Sequence, residues 1–404
     1  MMLNSIYYYL VERVMNMGQR VPVTIISGYL GAGKTTLILH LLKCKEGKRV
    51  GIIVNDLAAV NVDEKMIQRS PDFSKADQLV ALTHGSIGGQ LQQQLIDQTY
   101  RLAASGTVDL ILVESSGIVQ PDMAAKAIAR GTTTDGEKLA TVCRLDTNVT
   151  VVDGFRVLHQ FLPGDGAYNQ DFTQSNQLII NQIEFCDVLL FNKTDLLTAE
   201  QQTYLEKFVR QLQPRAVFLE TKFAIVPVSK VINTHLFDEK HELEAYDRSD
   251  DLSHFKEHHD LKFGIDSFVY RRRRPFNPMR FDAWLDQWPP AITRCKGVMW
   301  VITQPERVFT ISQSGRAMDI IPSGYWIASM KDWEIKKIFT VRQNLRQIWD
   351  PRFGDRMIEL VFIGQNMNRN KIIHDLDQCL MREDEVIDVR QDPFRLRHSN
   401  AHSK

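Results

Sequence analysis

Polar and apolar positions alternate in two textures along this chain. Short apolar runs rich in β-branched residues, at 21–26, 49–54, 110–113 and 188–191, are separated by longer stretches such as 90–102 and 200–212, where apolar positions return every three or four residues. The short runs are the strands of a sheet buried on both faces, and the longer stretches are the helices that cover it. Strand alternating with helix predicts an α/β domain with a mostly parallel sheet. The texture changes after Lys230. Residues 231–262 are polar and charged and hold five of the eleven histidines, His235, His241, His254, His258 and His259, which reads as a linker. Beyond it, 263–270, 298–302, 308–311 and 360–363 read as strands and 278–288 and 368–379 as helices, the mixed order of a smaller α+β domain. The expected division is an N-terminal extension at 1–21, the α/β domain at 22–232, a histidine-containing linker at 233–262 and a C-terminal domain at 263–404.

Composition narrows the class without naming it. The chain has 404 residues, 44% of them apolar and 24% charged, which suits a globular protein of two domains. Its 49 basic residues balance 49 acidic ones, so no overall field draws it to nucleic acid or to an anionic membrane. Cys44, Cys143, Cys186, Cys295 and Cys379 are scattered, form no CxxC pair and read as buried thiols of a cytoplasmic protein. No stretch approaches the roughly 18 apolar residues of a membrane span. The apolar segment near the start lacks a basic lead and is interrupted by Glu12 and Arg13, so it does not read as a signal peptide. Met17 stands just before the first strand, and translation starting there instead of at Met1 is an expectation for intact-mass measurement.

The most informative segment is GYLGAGKT at 28–35, placed where the first strand meets a helix. Gly28, Gly31, Ala32 and Gly33 let the backbone wrap around phosphates, with its N–H groups and the helix N-terminus facing the charge. Lys34 is expected to reach the β- and γ-phosphates, the Thr35 hydroxyl to bind Mg²⁺, and Thr36 to touch the α-phosphate. The fold class expected is therefore a P-loop NTPase domain followed by the smaller α+β domain.

Two more motifs complete a nucleotide site. LILVESSG at 110–117 delivers Glu114 at a strand end, where it would hold the metal through water or orient the attacking water, while the Gly117 N–H would sense the γ-phosphate. VLLFNKTD at 188–195 delivers Asn192, Lys193 and Asp195 at another strand end. An Asp carboxylate accepts from the N1–H and N2 amino groups of guanine, which adenine lacks, so the motif selects GTP over ATP. The Lys193 stem would lie along the base. The segment VPVSK at 226–230 follows, and Ser229 is a candidate for a backbone contact to guanine O6.

These residues resemble the CobW-type GTPases related to HypB and UreG, over nearly the whole chain from Pro22. TIISGYLGAGKTTL, VESSGIVQP and NKTD look like the nucleotide motifs of that family. SFVYRRRRPFNPMR at 267–280, KGVMW at 296–300 and LVFIGQNM at 360–367 look like its C-terminal domain. The resemblance implies a cytoplasmic, slow GTPase that binds zinc or another transition metal and passes it to a client protein.

One departure bears on the cargo. The family carries a Cys-x-Cys-Cys motif whose thiolates suit Zn²⁺, Co²⁺ or Cu⁺. In this chain Ser86, Gly88 and Gly89 stand in the three cysteine places, and Ala59 stands where the switch segment tends to carry a glutamate. A single His84 beside them is no substitute, because zinc needs three or four converging groups. His254 and His258 are four apart, so on a helix they would share one face, with His259 beside them as a further candidate ligand for a transition metal. The alternative is a polar linker with solvated histidines. Arg271, Arg272, Arg273 and Arg274 form a basic run, but a strand sends two to each face, so a salt-bridged strand is expected rather than a nucleic-acid contact.

Two functions follow from the same residues. The first is a GTP-hydrolysing switch in metal homeostasis, with GTP and Mg²⁺ ordering 56–63 and the loop 83–90 and hydrolysis releasing a client. Its turnover should be slow, since the motifs contain no arginine finger or water-orienting glutamine. The second is a GTP-controlled interaction or assembly factor that has lost metal cargo. Client and oligomeric state are not legible.

Overall fold

The structure is a computed structural model that describes residues 20–54, 62–82, 89–115, 121–161, 173–239, 258–260, 265–314, 317–341, 345–383 and 385–395. The chain divides into two compact units, Met1–Glu244 and Ala245–Lys404.

Seven strands form the sheet of the first unit: β1 Val21–Ser27, β2 Val50–Val54, β3 Gln78–Ala81, β4 Leu110–Glu114, β5 Cys143–Asp153, β6 Val188–Asn192 and β7 Val217–Glu220. They lie in the order β3-β2-β4-β1-β5-β6-β7, and every neighbouring pair is parallel. A parallel sheet needs both faces covered, and alternate residues of β4 supply the two cores. Ile111 and Val113 pack with Leu95, Ile96, Ala125 and Ile128. Leu110 and Leu112 pack with Leu37, Ile38 and Leu41 from the helix Lys34–Lys43. The helix Ala199–Leu212 starts where Thr198 and Gln201 form a reciprocal capping box, which satisfies two N–H groups that the first turn leaves open.

Strand β5 escaped the sequence reading because its first half, Cys143 to Asn148, is interrupted by polar residues. Asp146 and Thr147 among them are buried and hydrogen-bonded. Asp146 is fully buried, pairs with Arg144, and accepts the N–H groups of Thr234 at 2.8 Å and His235 at 3.1 Å. Those bonds hold its carboxyl below the usual range although burial raises it. They also fasten the chain after β7: Val231 and Ile232 are buried and Phe237 packs on the core. Residues 231–239 thus belong to the first unit, not to a linker.

The second unit is one antiparallel sheet, with β8 His258–Asp260, β9 Ile265–Arg272, β10 Ile292–Met299, β11 Arg307–Ser314, β12 Ala317–Tyr325 and β13 Ile358–Gln365. The order is β12-β11-β10-β13-β9-β8. Phe281 and Trp284 of the helix Pro278–Leu285, and Ile372 and Leu376 of the helix Arg369–Gln378, share its aromatic core. Phe276 stacks on Phe281 at 4.2 Å and Phe268 on Phe362 at 5.1 Å. Strand β10 begins at Ile292 and ends at Met299, so the strand expected at 298–302 starts earlier. Its polar Arg294 is buried by bonds to Ser312 Oγ at 2.8 Å and to the Gln313 carbonyl at 3.0 Å, a partner that local polarity does not reveal.

His258 and His259 lie in β8, paired with Ser267 and Asp266, so the helix suggested by the spacing does not extend to them. A strand advances more than twice as far per residue as a helix, and the hydrogen-bonded edge of β9 captures this segment. His254 lies outside the described residues. The arginine run is held within the unit. Arg271 pairs with Glu359, Arg272 binds both carboxylate oxygens of Asp377 at 2.7 Å, Arg273 reaches the Arg356 carbonyl at 3.1 Å, and Arg274 reaches the Met381 carbonyl at 3.2 Å.

Arg280 grips Glu385 through both carboxylate oxygens, and this pair, with help from the Arg382 N–H and Asn277, holds the Glu385 carboxyl at about 2 against an ordinary 4.5. A depressed carboxylate contributes stability above its unfolded value and loses it as pH falls through the folded one. Acid unfolding of Glu385→Gln is therefore expected to depend less on pH than that of the parent between 4.5 and about 2. Parallel slopes for the two proteins across that window would contradict the pairing.

Candidate functional site

The site lies at the carboxyl ends of β1, β4, β5 and β6. The connection order reverses at β1, where loops from neighbouring strands diverge and leave a crevice, the usual ligand position of an open α/β sheet.

The phosphate loop is fixed by sterics. Gly28 has φ +140°, and a Cβ there would lie 2.2 Å from the Val151 carbonyl oxygen of β5. Gly33 has φ +112°, and its Cβ would fall 2.5 Å from Asn192 Nδ2. No side chain fits at either position. Gly31, with φ +77°, faces open space, so only its backbone conformation demands glycine. The loop closes through the Ala32 N–H on the Tyr29 carbonyl at 3.1 Å, and the Leu37 N–H bonds back to Gly33 at 2.9 Å as the helix begins. Lys34 is buried at the first helical position, while Thr36 is exposed on the same turn.

Thr35 is the meeting point of the acidic side. Its hydroxyl oxygen lies 2.6 Å from Asp63 Oδ1 and 3.3 Å from Glu114 Oε1. Glu114 closes β4 and is 2% exposed. Asp63 lies in the first turn of the helix Val62–Gln68 and was missed in the sequence, where an acid in a first turn reads as a complement to the helix dipole. One hydroxyl and two carboxylates form an all-oxygen set, the chemistry that suits Mg²⁺ beside phosphates. Gly117 and the segments 56–61 and 83–88, with Ala59, His84, Ser86 and Gly88, lie outside the described residues, and Gly89 opens the helix Gly89–Ala104.

The base side is organised by Asn192, which is 3% exposed. Its Nδ2 donates to the Ala32 carbonyl at 2.9 Å, and its Oδ1 accepts the Ala224 N–H at 3.0 Å. Lys193 follows in the left-handed region, φ 63°, and its ammonium donates to Asp153 Oδ2 at 2.6 Å. Asp195 is exposed and lines an open cavity of about 590 Å³ with Thr194, Gln202, Glu220, Lys222 and Ile225. Ser229, expected near guanine O6, does not line this cavity. It sits on the turn Val228–Lys230, and the loop that borders Asp195 is the earlier Thr221 to Ile225, whose Phe223 and Ala224 take left-handed conformations. In that loop the Ala224 N–H is bonded to Asn192 Oδ1.

Three of the five thiols are held in the protonated form by burial. Burial pushes the Cys143 thiol up to about 12 and the Cys379 thiol up to about 11, and raises Cys295 further. A thiol binds metal as its thiolate, so these three are poor ligands at neutral pH. Among the described residues no group of three or more His, Cys, Asp and Glu stands where it could hold a metal ion. Nor is any described helix long and apolar enough to cross a membrane.

Fold and loop chemistry together define a P-loop GTPase. The chain belongs to the CobW/HypB/UreG family: that family's nucleotide-binding domain matches residues 22–220, and the cobalamin synthesis protein CobW C-terminal domain matches residues 265–380. It is similar to zinc-regulated GTPase metalloprotein activator 1 of Dictyostelium discoideum, 31% identical over 388 residues that cover 91% of this chain and 82% of that one. It is also similar to the zinc chaperone CobW of Pseudomonas aeruginosa, 27% identical over 213 residues, 49% of this chain and 55% of that protein. Among solved structures, the Zn(II)-bound YjiA GTPase from E. coli is 18% identical, with a TM-score of 0.40 over 90% of this chain and 100% of that one.

Gly28→Ala is expected to destabilise the protein by about 3 kcal/mol or more, combining a backbone clash with a strained φ, whereas Gly31→Ala should cost about 1 kcal/mol. Urea unfolding of the nucleotide-free variants checks the difference, and equal losses would contradict the packing of the loop on β5.

Proposed function

We propose that this chain is a slow, Mg²⁺-dependent GTPase that takes part in delivering a transition metal, zinc first, to a client protein. The observation that carries the nucleotide half is the linkage through Asn192 of the phosphate loop to the loop bordering Asp195. With that linkage, triphosphate and base are held by one connected set of loops.

In this reading the loop N–H groups and Lys34 bind the β- and γ-phosphates, and Gly28, Gly31, Ala32 and Gly33 allow the approach. Thr36 reaches the α-phosphate, Asp195 accepts from guanine, and Lys193 lies along the base. Thr35, Asp63 and Glu114 would hold Mg²⁺, which when bound neutralises charge developing on the transferred phosphoryl group. Glu114 is buried where a water beside the γ-phosphate could be held and oriented, and Gly117 follows it on the chain. Turnover is slow because this set contains no arginine directed at the γ-phosphate; rapid hydrolysis by the purified protein alone would contradict it.

The metal half rests on kinship. Relatives carry the names zinc-regulated GTPase metalloprotein activator and zinc chaperone. Against a family-type thiolate site stand Ser86, Gly88 and Gly89 in the cysteine places and the raised thiols of Cys143, Cys295 and Cys379. That chemistry favours a second reading, a GTP-controlled assembly factor without metal cargo. In the first reading the ligands come from the client or from His254, His258 and His259.

Zinc titration against a chromophoric chelator, with and without GTP and Mg²⁺, separates the two. Delivery predicts about one zinc bound in a GTP-dependent way, and loss of that zinc on changing His254 and His258 to Ala would assign the histidines. Only weak binding in both nucleotide states would remove the cargo and leave the assembly factor.

A further inference from the structure

Asp153 is the last residue of β5, and its register partner on β6 is Asn192, the residue before Lys193. The two oxygens of its carboxylate have separate tasks. Oδ1 accepts the Arg156 N–H at 3.1 Å in the first turn of the helix Gly154–Phe161, and Oδ2 accepts from the Lys193 ammonium at 2.6 Å. The Asp153 side chain is 14% exposed and that of Lys193 is 37% exposed, so the carboxylate is sheltered while the lysine stem keeps an open side. Lys193 also holds a left-handed φ of 63°, a conformation that a residue with a side chain keeps only when its surroundings enforce it. On the other side of Asp153, the Arg156 guanidinium lies 4.6 Å from the Tyr29 ring centroid on the phosphate loop.

We propose that Asp153 is a positioning residue for nucleotide binding: by anchoring the Lys193 ammonium it lays the lysine stem flat for the base, and by capping the helix that carries Arg156 it ties this lysine to the phosphate loop. The inference rests on the reading of Lys193 as a base contact. A lysine without such an anchor samples many rotamers, and stacking its stem on a base would then cost the entropy of ordering it. The anchored stem is ordered before the nucleotide arrives. Stacking on a stem is indifferent to the exocyclic groups of the ring, so Asp153 contributes affinity and Asp195 contributes base identity.

The test separates the two oxygens. Asp153→Ser keeps a side-chain oxygen suited to capping the helix but is too short to reach Lys193, whereas Asp153→Ala loses both functions. Fluorescent GDP and GTP analogues measure equilibrium affinity and dissociation rate for the full chain. The parent protein is measured first, and failure of the parent to bind guanine nucleotide would overturn the nucleotide reading and this inference together. With a binding parent, Asp153→Ser is expected to weaken GDP and GTP about fivefold, chiefly through faster dissociation, and to weaken the inosine nucleotides by the same factor. In a Lys193→Ala background the same change should add nothing, because Asp153 acts through the lysine. Parent-like affinity in Asp153→Ser, or a full fivefold loss added on top of Lys193→Ala, would overturn the proposal while leaving GTP binding intact. Urea unfolding of the nucleotide-free variants marks the purely structural alternative, in which stability falls in Asp153→Ala and nucleotide affinity follows stability alone.

Discussion

The site depends on one buried amide. Asn192 spends both ends of its side chain on backbone, donating to Ala32 and accepting from Ala224. It is buried, so loss of either partner would leave a polar group unsatisfied at a cost of about 1–3 kcal/mol. The loop after β1, the loop after β6 and the loop after β7 are therefore coupled through this one side chain. The close packing of Gly33 against Asn192 is the steric side of the same arrangement. Parallel pairing of β1, β5, β6 and β7 brings the three loops to one edge, and Asn192 bonds them there.

What was legible in the sequence was whatever local pattern determines. Runs of β-branched residues placed the central strands, and glycines with a lysine and threonine placed the phosphate loop, because few conformations suit such segments. Asp63 was not legible, since an acidic first helical turn is commonplace and only the fold brings it to Thr35. The first half of β5 was hidden by polar residues whose partners, Thr234 and His235 among them, lie far along the chain. Ser229 was singled out from a short motif, whereas the loop that borders Asp195 is marked by a backbone bond to Asn192 that no local pattern reveals. The histidine spacing suggested a helix, and the strand-pairing edge of β9 decided otherwise for His258 and His259.

Two halves of the functional account have different footing. The nucleotide half is written in side-chain geometry, from Lys34 and Thr35 through Asp63 and Glu114 to Lys193. The metal half descends from family membership, and the chemistry that would carry cargo in thiolates is replaced by serine and glycine. A scaffold can keep its switch while its client changes, because the phosphate loop at 28–35 and the motif at 192–195 are separate in sequence from the cysteine places at 86, 88 and 89. The second unit has its arginine run paired internally and an aromatic core beneath its sheet.

The central claim is that Asp195 reads guanine within this connected loop set, and base exchange tests it most directly. A carboxylate accepts from guanine N1–H and N2, whereas an amide at the same place can donate to the C2 carbonyl of xanthine. Competition binding of GTP, ATP and XTP should give the parent a clear preference for GTP, and Asp195→Asn should move that preference to XTP. Equal binding of ATP and GTP by the parent, or an Asp195→Asn protein that still prefers GTP over XTP, would contradict the account.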